Sequence, residues 1–268
     1  MTSYNILLKK MTTDLQNTVN YYFIFDESFI FINDLLGKTI SIQHTGYQCL
    51  NCGKAKKIFS QGHCFDCFKM SPSVGDWIMK PELSTAHLDI QDRDLAYEKS
   101  VQLQPHIVYL SLTSEVKVGV TRKTQVPTRW IDQGASAAIP IIEVPNRYLA
   151  GITEVALKKH YADKTAWQKM LKNECVETDL EAERLKAYSF LPKEVTQYWE
   201  KDMKSTFLNY PVLHYPQKIS SINLEKQPEF SGQLIGIKGQ YLLFENGQVW
   251  NVRSHEGYSV RLGVAPAQ

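Results

Sequence analysis

The chain has 268 residues, of which 43% are hydrophobic and 22% are charged, and its formal net charge is +2. This composition is typical of a globular protein, and no apolar run approaches the roughly 18 to 20 residues of a membrane helix, so we expect no membrane partner. The small net charge neither requires nor excludes a nucleic-acid partner. The first residues lack the apolar core of a secretion signal, so we expect a cytoplasmic protein.

Residues 1–46 are dense in aromatic and β-branched side chains. From Val19 to Thr45 they predict an antiparallel β meander, with a turn at residues 26–28 and a third strand from Thr39 to Gln43. We expect this region to be structural. We also expect it to pair with strands near the end of the chain.

Four of the five cysteines form two matched pairs, Cys49 with Cys52 and Cys64 with Cys67. Thiolates two residues apart can turn onto one ion at about 2.3 Å, and two such pairs complete a tetrahedral site. A redox pair needs no matching second pair, and disulfides are uncommon in the cytosol. The spacing therefore predicts structural zinc, held in a treble-clef or ribbon-like element within residues 47–104. A filled shell of four thiolates argues against catalysis at this metal.

The loop between the two cysteine pairs carries Lys54, Lys56 and Lys57. These side chains either contact phosphate or simply face solvent. Cys175 stands apart from the pairs and has no neighbouring base, so we expect a packed or loop thiol.

The most informative stretch is residues 105–172. Ile107–Leu112 and Val116–Val120 predict a β-hairpin, and Gly119 inside the second strand indicates close approach by a ligand or by backbone. Pro127 can start a short helix that carries Arg129.

A third strand and a longer helix follow. Residues 139–145 predict the strand, and Asn146 is a suitable N-cap for a helix from Arg147 to Tyr161. This helix carries Glu154 among small and apolar neighbours. A solvated or ion-paired side chain remains the alternative to a ligand there.

This order of residues resembles the GIY-YIG nuclease superfamily, in the branches where a KIG-type motif replaces YIG. The first motif matches residues 107–109, which end in Tyr109, and the second matches residues 117–119, which begin with Lys117. Arg129 matches the arginine of the first helix, and Glu154 matches the metal-binding glutamate. The chain as a whole, with its paired cysteines and its ending from 236 to 260, resembles a bacterial family catalogued as domain of unknown function 2797.

The superfamily resemblance implies phosphodiester hydrolysis that depends on a divalent cation. Tyr109 would help activate water, Lys117 would contact phosphate, Arg129 would clamp a phosphate and Glu154 would hold one hydrated Mg²⁺ or Mn²⁺. The chain departs from the superfamily pattern at Ile107, which stands in place of a glycine, and at Lys117, which stands in place of a second tyrosine. An inactive nucleic-acid-binding module is therefore one alternative, and a protein-interaction scaffold is another.

The last third of the chain predicts helices and then strands. Residues 173–215 form a helical segment in this prediction, with one helix from Asp179 to Tyr188 and another from Pro192 to about Phe207. Residues 216–268 predict an antiparallel sheet or a small barrel. Trp250 is either a core residue or part of a stacking surface with His255 and Tyr258.

Together these patterns predict an α+β protein with a central GIY-YIG-like α/β unit. Its expected cofactors are structural zinc and a catalytic Mg²⁺ or Mn²⁺. The expected partner is nucleic acid, with DNA and RNA both open, and a protein partner is compatible with the same elements.

Overall fold

The structure, a computed structural model, describes residues 2–265. The chain divides into two compact units. Unit 1 holds the described residues up to Lys69 and from Asn209 onward, and unit 2 holds Met70–Leu208. The prediction of a mixed α+β chain with several antiparallel sheets is confirmed. Among residues 2–265, no helix is long and apolar enough to cross a membrane.

The helices and strands are named in chain order. Unit 1 begins with β1 (Thr2–Leu7), β2 (Thr12–Asp14), β3 (Asn20–Phe25), β4 (Ser28–Phe31), β5 (Thr39–Tyr47), β6 (Ile58–Ser60), β7 (His63–Cys64) and α1 (Phe65–Met70). Unit 2 contains α2 (Asp76–Met79), α3 (Leu95–Gln102), β8 (His106–Leu112), β9 (Val116–Arg122), α4 (Thr128–Asp132), β10 (Ala137–Val144), α5 (Arg147–Leu157), α6 (Trp167–Leu171), α7 (Leu180–Tyr188) and β11 (Thr206–Phe207). The chain returns to unit 1 with β12 (Ser220–Ser221), β13 (Glu229–Lys238), β14 (Tyr241–Phe244), β15 (Gln248–Asn251) and β16 (Tyr258–Val264).

The main sheet of unit 1 joins strands from both ends of the chain. Its order is β1-β16-β5-β13-β14-β15-β12, and every pairing is antiparallel except that of β12 with β15. The N-terminal meander extends only over β2, β3 and β4, because β5 leaves it for the main sheet. There Ile42 lies between Phe230 and Leu262, and these apolar side chains are all buried. The described strands form open sheets, so the closed-barrel alternative is not what forms.

Unit 2 is built on a four-stranded antiparallel sheet of order β11-β10-β8-β9. The central strand β8 is buried along almost its whole length, because α5 and α7 pack against the sheet. The core contains apolar side chains from these elements, among them Val108, Leu110, Ile139, Ile141 and Leu157. A strand buried in this way reads as a continuous apolar run, as the sequence of β8 does.

The helix predicted to start at Pro192 is much shorter than expected. Only a 3₁₀ turn from Lys193 to Tyr198 forms, and the chain then extends toward the edge of the sheet. Trp199 makes an antiparallel bridge with Ile142, and β11 pairs with the start of β10. Packing against the sheet therefore overrides the local helical preference of this segment.

The C-terminal aromatic residues belong to the core of unit 1. Trp250 is fully buried, and His255 and Tyr258 are also buried. His255 Nε2 accepts a hydrogen bond from the backbone N–H of Leu224 at 3.3 Å. The alternative of a stacking surface at Trp250 is therefore wrong.

Candidate functional site

The hairpin of β8 and β9 fixes the position of Tyr109. Tyr109 lies directly opposite Gly119 in the antiparallel register and is fully buried. A Cβ atom at position 119 would stand 2.7 Å from the tyrosine hydroxyl, so this strand glycine makes room for the phenol. The hydroxyl donates a hydrogen bond to Gln133 Oε1 at 3.1 Å. Burial raises the pKa of Tyr109 to about 12, although Arg129 and Gln133 oppose the shift.

Helix α5 carries Glu154. Asn146 caps the helix by accepting a hydrogen bond from the backbone N–H of Leu149, as predicted. One turn before Glu154, Gly151 packs against the backbone of the Pro81–Leu83 turn. A Cβ atom there would lie 2.2 Å from the nitrogen of Glu82. The helix therefore reaches its position only because residue 151 lacks a side chain.

Glu154 is not on the solvent face of its helix. Its side chain is 12% exposed and its Oε2 lies 3.6 Å from Lys158 Nζ. Burial raises the pKa of Glu154, and Lys158 opposes the shift. Glu82 also raises this pKa, which puts a second carboxylate nearby. Glu82 Oε2 is buried and accepts no hydrogen bond from the described residues.

Lys117 lies on β9 and is buried. Residue 117 bridges to Ala162, in the segment that follows α5, and Lys117 Nζ donates to Thr165 Oγ1 at a long 3.5 Å. Burial first, and then Arg129, lower the pKa of Lys117 to about 8, while Glu154 opposes the shift. A substantial fraction of this amine is therefore neutral near pH 8.

The four residues matched by the resemblance share one neighbourhood. Arg129, from α4, influences the pKa of both Tyr109 and Lys117. Glu154 influences the pKa of both Tyr109 and Lys117. The surrounding charges that influence these groups are Arg147, Lys158, Glu82 and Asp163. With Lys117, Arg129 and Glu154 included, four cationic side chains meet three acidic ones, so the site is slightly cationic.

Several members of this neighbourhood were missed in the sequence. Gln133 follows α4 directly, and Thr165 lies in an irregular segment after α5, so neither has a periodic signal. Glu82 is more than 70 residues from Glu154 in the sequence, and only folding brings the two together. Arg147 donates to the backbone oxygens of Trp77 and Ile78, at 3.0 and 2.7 Å, and so fixes the start of α5.

The four paired cysteines form a second site, in unit 1. The sulfur atoms of Cys49, Cys52, Cys64 and Cys67 all lie within 4.8 Å of one another. In a tetrahedral zinc site with Zn–S bonds of about 2.3 Å, the sulfurs would be about 3.8 Å apart, so a small contraction would suffice. The backbone N–H of Cys64 already donates to Cys49 Sγ at 3.2 Å. The cluster could therefore bind a metal such as zinc.

Local structure explains how the cysteine loops meet. The hairpin of β6 and β7 leads into α1. The loop of the first cysteine pair is joined to the turn of this hairpin by a hydrogen bond from the N–H of Leu50 to the oxygen of Gly62. Burial raises the pKa of Cys49, but hydrogen bonds from the backbone of Cys52, Cys64 and Asn51 bring it down to about 6. These hydrogen bonds thus favour the thiolate form of Cys49. Cys175 lies elsewhere, and its thiol donates to the oxygen of Thr113 at 3.1 Å.

Comparison with known proteins places the chain in a family. The model of a family described as a protein of unknown function (DUF2797) matches residues 37–260, so the chain belongs to that family. The match includes the cysteine cluster and all of unit 2. Neither the curated proteins nor the solved structures contain a match to the chain.

Proposed function

We propose that this member of the DUF2797 family binds nucleic acid and that its unit 2 hydrolyses phosphodiesters with the help of a divalent cation. The observation that supports this most is the meeting of Tyr109, Lys117, Arg129 and Glu154 in one neighbourhood, from four separate elements. Their types and order match the GIY-YIG resemblance. The hairpin, helix, strand and helix that carry them in unit 2 come in the order that this resemblance implies.

The charge balance suits an anionic substrate. Arg129 is cationic at any working pH, and Lys117 is cationic whenever it holds a proton, including after it accepts one from water. In a partly buried site both charges would interact with a phosphate more strongly than in water. The planar guanidinium of Arg129 can clamp two phosphate oxygens, and it is partly exposed. These groups would stabilise the charge that develops on the phosphoryl group during hydrolysis.

Glu154 is the residue that would hold the cation. A bound Mg²⁺ or Mn²⁺ would neutralise phosphate charge and help to activate water. Because burial raises the pKa of Glu154 and Lys158 lies 3.6 Å away, a cation must compete with both a proton and an amine. Cation affinity should therefore increase with pH.

Lys117 is a better proton acceptor than Tyr109 in this site. The resemblance assigns water activation to the tyrosine, but Tyr109 is fully buried, donates a hydrogen bond to Gln133 and has a pKa raised by burial to about 12. Lys117 has a pKa lowered to about 8 by burial. An acceptor works best when its pKa is near the working pH. In our proposal Tyr109 holds Gln133 through its hydrogen bond, and neutral Lys117 accepts a proton from the attacking water.

A non-catalytic nucleic-acid-binding module is the second candidate. The ion pair of Glu154 with Lys158 favours it, because a carboxylate already paired at a nearly buried position needs no cation for charge balance. In this alternative Lys117 and Arg129 bind phosphate without cleaving it.

The cysteine cluster contributes structure in both candidates. We propose zinc as its metal, in a treble-clef arrangement of the β6–β7 hairpin and α1. Four thiolates leave no open position for a substrate. Such a site is typical of a reducing compartment, which supports the cytoplasm as the location of the protein.

The test is cleavage of labelled branched, single-stranded and duplex DNA and RNA with Mg²⁺ or Mn²⁺. Glu154→Gln removes the charge that holds the cation, and Glu174→Gln is a matched control at an exposed acidic residue paired with Lys172. We expect cleavage by wild type and by the control, and at least a hundredfold loss in Glu154→Gln. If the wild type and both variants bind nucleic acid but none of them cleaves it, the second candidate is supported. If the wild type neither binds nor cleaves nucleic acid, both candidates fail and the protein-interaction scaffold is the alternative that stays.

A further inference from the structure

An exposed group of aromatic rings lies on the cysteine-bearing element of unit 1. Phe59 on β6 is 57% exposed, and Phe65 at the start of α1 is 50% exposed. The centroid of the Phe59 ring is 5.2 Å from that of Phe65 and 5.1 Å from that of Phe68. We call these three residues the phenylalanine patch. Large apolar side chains that cluster at the surface indicate a binding site more often than isolated ones do.

Lysines lie on the same element as the patch. Asp66, next to Phe65, pairs with Lys56, whose Nζ lies 2.7 Å from its carboxylate. Lys54 is exposed on the same element, where its backbone oxygen accepts a hydrogen bond from the N–H of Cys49 at 2.9 Å. Lys69 Nζ also lies 4.6 Å from the centroid of the Phe65 ring. Exposed rings with interleaved cations are the arrangement that binds bases and phosphates of a single strand.

We propose that the phenylalanine patch binds single-stranded nucleic acid, with bases stacked on Phe59 and Phe65 and phosphates contacted by Lys54 and Lys69. This inference rests on the proposed function, because the nucleic-acid substrate is proposed there. A duplex offers no unstacked base faces, so it would bind the patch less tightly than a single strand. The patch therefore gives the protein a preference for unpaired segments.

The charge balance makes a quantitative prediction about salt. Four thiolates that share one Zn²⁺ keep two negative charges beside the patch, and Asp66 neutralises Lys56, so few cations remain for phosphates. Two phosphate contacts predict a slope of log K against log salt concentration of roughly −1.4 for a single strand. Stacking, rather than release of counterions, would therefore supply most of the affinity.

The test measures binding of fluorescent 15-nucleotide single strands of DNA and RNA by anisotropy, without Mg²⁺, Mn²⁺ or chelator, so that cleavage does not interfere. The variants are Phe59→Ala, Phe65→Ala and Phe59→Trp. Phe29→Ala is the matched control, since Phe29 is 64% exposed in the same unit but outside the patch. Metal content and elution volume of each variant establish that zinc and oligomeric state are unchanged.

We expect each alanine variant at the patch to bind single strands about tenfold more weakly, and Phe59→Trp and Phe29→Ala to bind as wild type does. Wild-type affinity in Phe59→Ala, equal affinity for duplex, or no binding by wild type would overturn the inference. A change of oligomeric state in the patch variants, without a change in binding, would overturn it in favour of a protein interface.

Hydrolysis of bis(p-nitrophenyl) phosphate separates this inference from the proposed function, because that small diester does not need the patch. If hydrolysis depends on Glu154 but Phe59→Ala binds single strands as wild type does, the proposed function is supported and the inference about the phenylalanine patch is contradicted. If binding of single strands depends on the patch but no hydrolysis is found, the inference about the patch is supported and the protein is the non-catalytic module.

Discussion

At the scale of single residues, the burial of Lys117 affects stability in a way that bears on its proposed role. An amine at the surface stays protonated at neutral pH, but burial of Lys117 on β9 lowers its pKa from an ordinary 10.5 to about 8. A cationic group in such a place lowers the stability of the fold. Residues that carry an energetic penalty of this kind are often functional, because packing alone would select an apolar side chain.

Replacement of Lys117 by methionine should therefore stabilise the fold while it removes function. Because the folded-state pKa is lowered, the unfolded chain binds the proton more tightly between about pH 8 and pH 10.5. The penalty is complete below pH 8 and fades as the pH rises to 10.5. We expect Lys117→Met to raise the free energy of unfolding by about 1–3 kcal/mol at pH 7 and by much less above pH 10.5. Urea unfolding at several pH values measures this.

The control for that prediction is Lys159→Met, at an exposed position two residues after α5. Its stability should change by less than about 0.5 kcal/mol at every pH. A loss of stability in Lys117→Met at pH 7 would mean that the amine makes a contact worth more than its desolvation.

At the scale of elements, the α5 helix depends on close packing at Gly151. A Cβ atom there would lie 2.2 Å from the backbone nitrogen of Glu82 and 2.3 Å from the carbonyl carbon of Pro81. Backbone atoms cannot move away as a flexible side chain can. We expect Gly151→Ala to lower the free energy of unfolding by about 1–3 kcal/mol, although alanine is more favourable than glycine inside a helix by about 1 kcal/mol. Gly46→Ala, with no atom within 4 Å of the added Cβ, is the control and should have little effect.

The cysteine element gives a prediction about metal content. Wild-type protein should contain one zinc per chain, since the four sulfurs form one cluster. Cys52→Ser should lose this zinc, because a neutral hydroxyl replaces one thiolate ligand. Cys175→Ser should keep it, since Cys175 lies in unit 2 and donates to Thr113. Metal analysis of the purified proteins measures both, and equal zinc in Cys52→Ser and wild type would contradict the assignment.

At the scale of the whole molecule, each unit has its own main sheet and its own buried apolar residues. The cysteine loops are hydrogen-bonded to the rest of unit 1. One example is the hydrogen bond from the N–H of Gln48 to the oxygen of Gly257. Removal of zinc by a chelator should therefore speed amide hydrogen exchange in residues 48–69 and in the paired ends of β5 and β16. Exchange in β8, β9 and β10 should stay slow, because these strands belong to unit 2. Equal acceleration in both units would show that they unfold together.

Local patterns in the sequence predicted part of this molecule. The spacing of the cysteines predicted their cluster, and Asn146 predicted the start of α5, because both depend on residues close in sequence. The sequence indicates that residues 1–46 pair with strands near the end of the chain, but it does not indicate that β5 leaves the meander to do so, since that depends on pairing with strands about 190 and 220 residues away. The same holds for Glu82, which reaches Glu154 only through the packing at Gly151.

The most direct test of the account is the pH dependence of single-turnover cleavage at saturating Mn²⁺, measured for wild type, Lys117→Met and Tyr109→Phe. If neutral Lys117 accepts the proton, the wild-type rate should rise with pH and level off above about pH 8. Lys117→Met should lose at least a hundredfold, and Tyr109→Phe should keep most of the rate. A rate that falls through pH 8 would mean that Lys117 acts as a cation. An inactive Tyr109→Phe beside an active Lys117→Met would return the proton to the tyrosine and contradict the account.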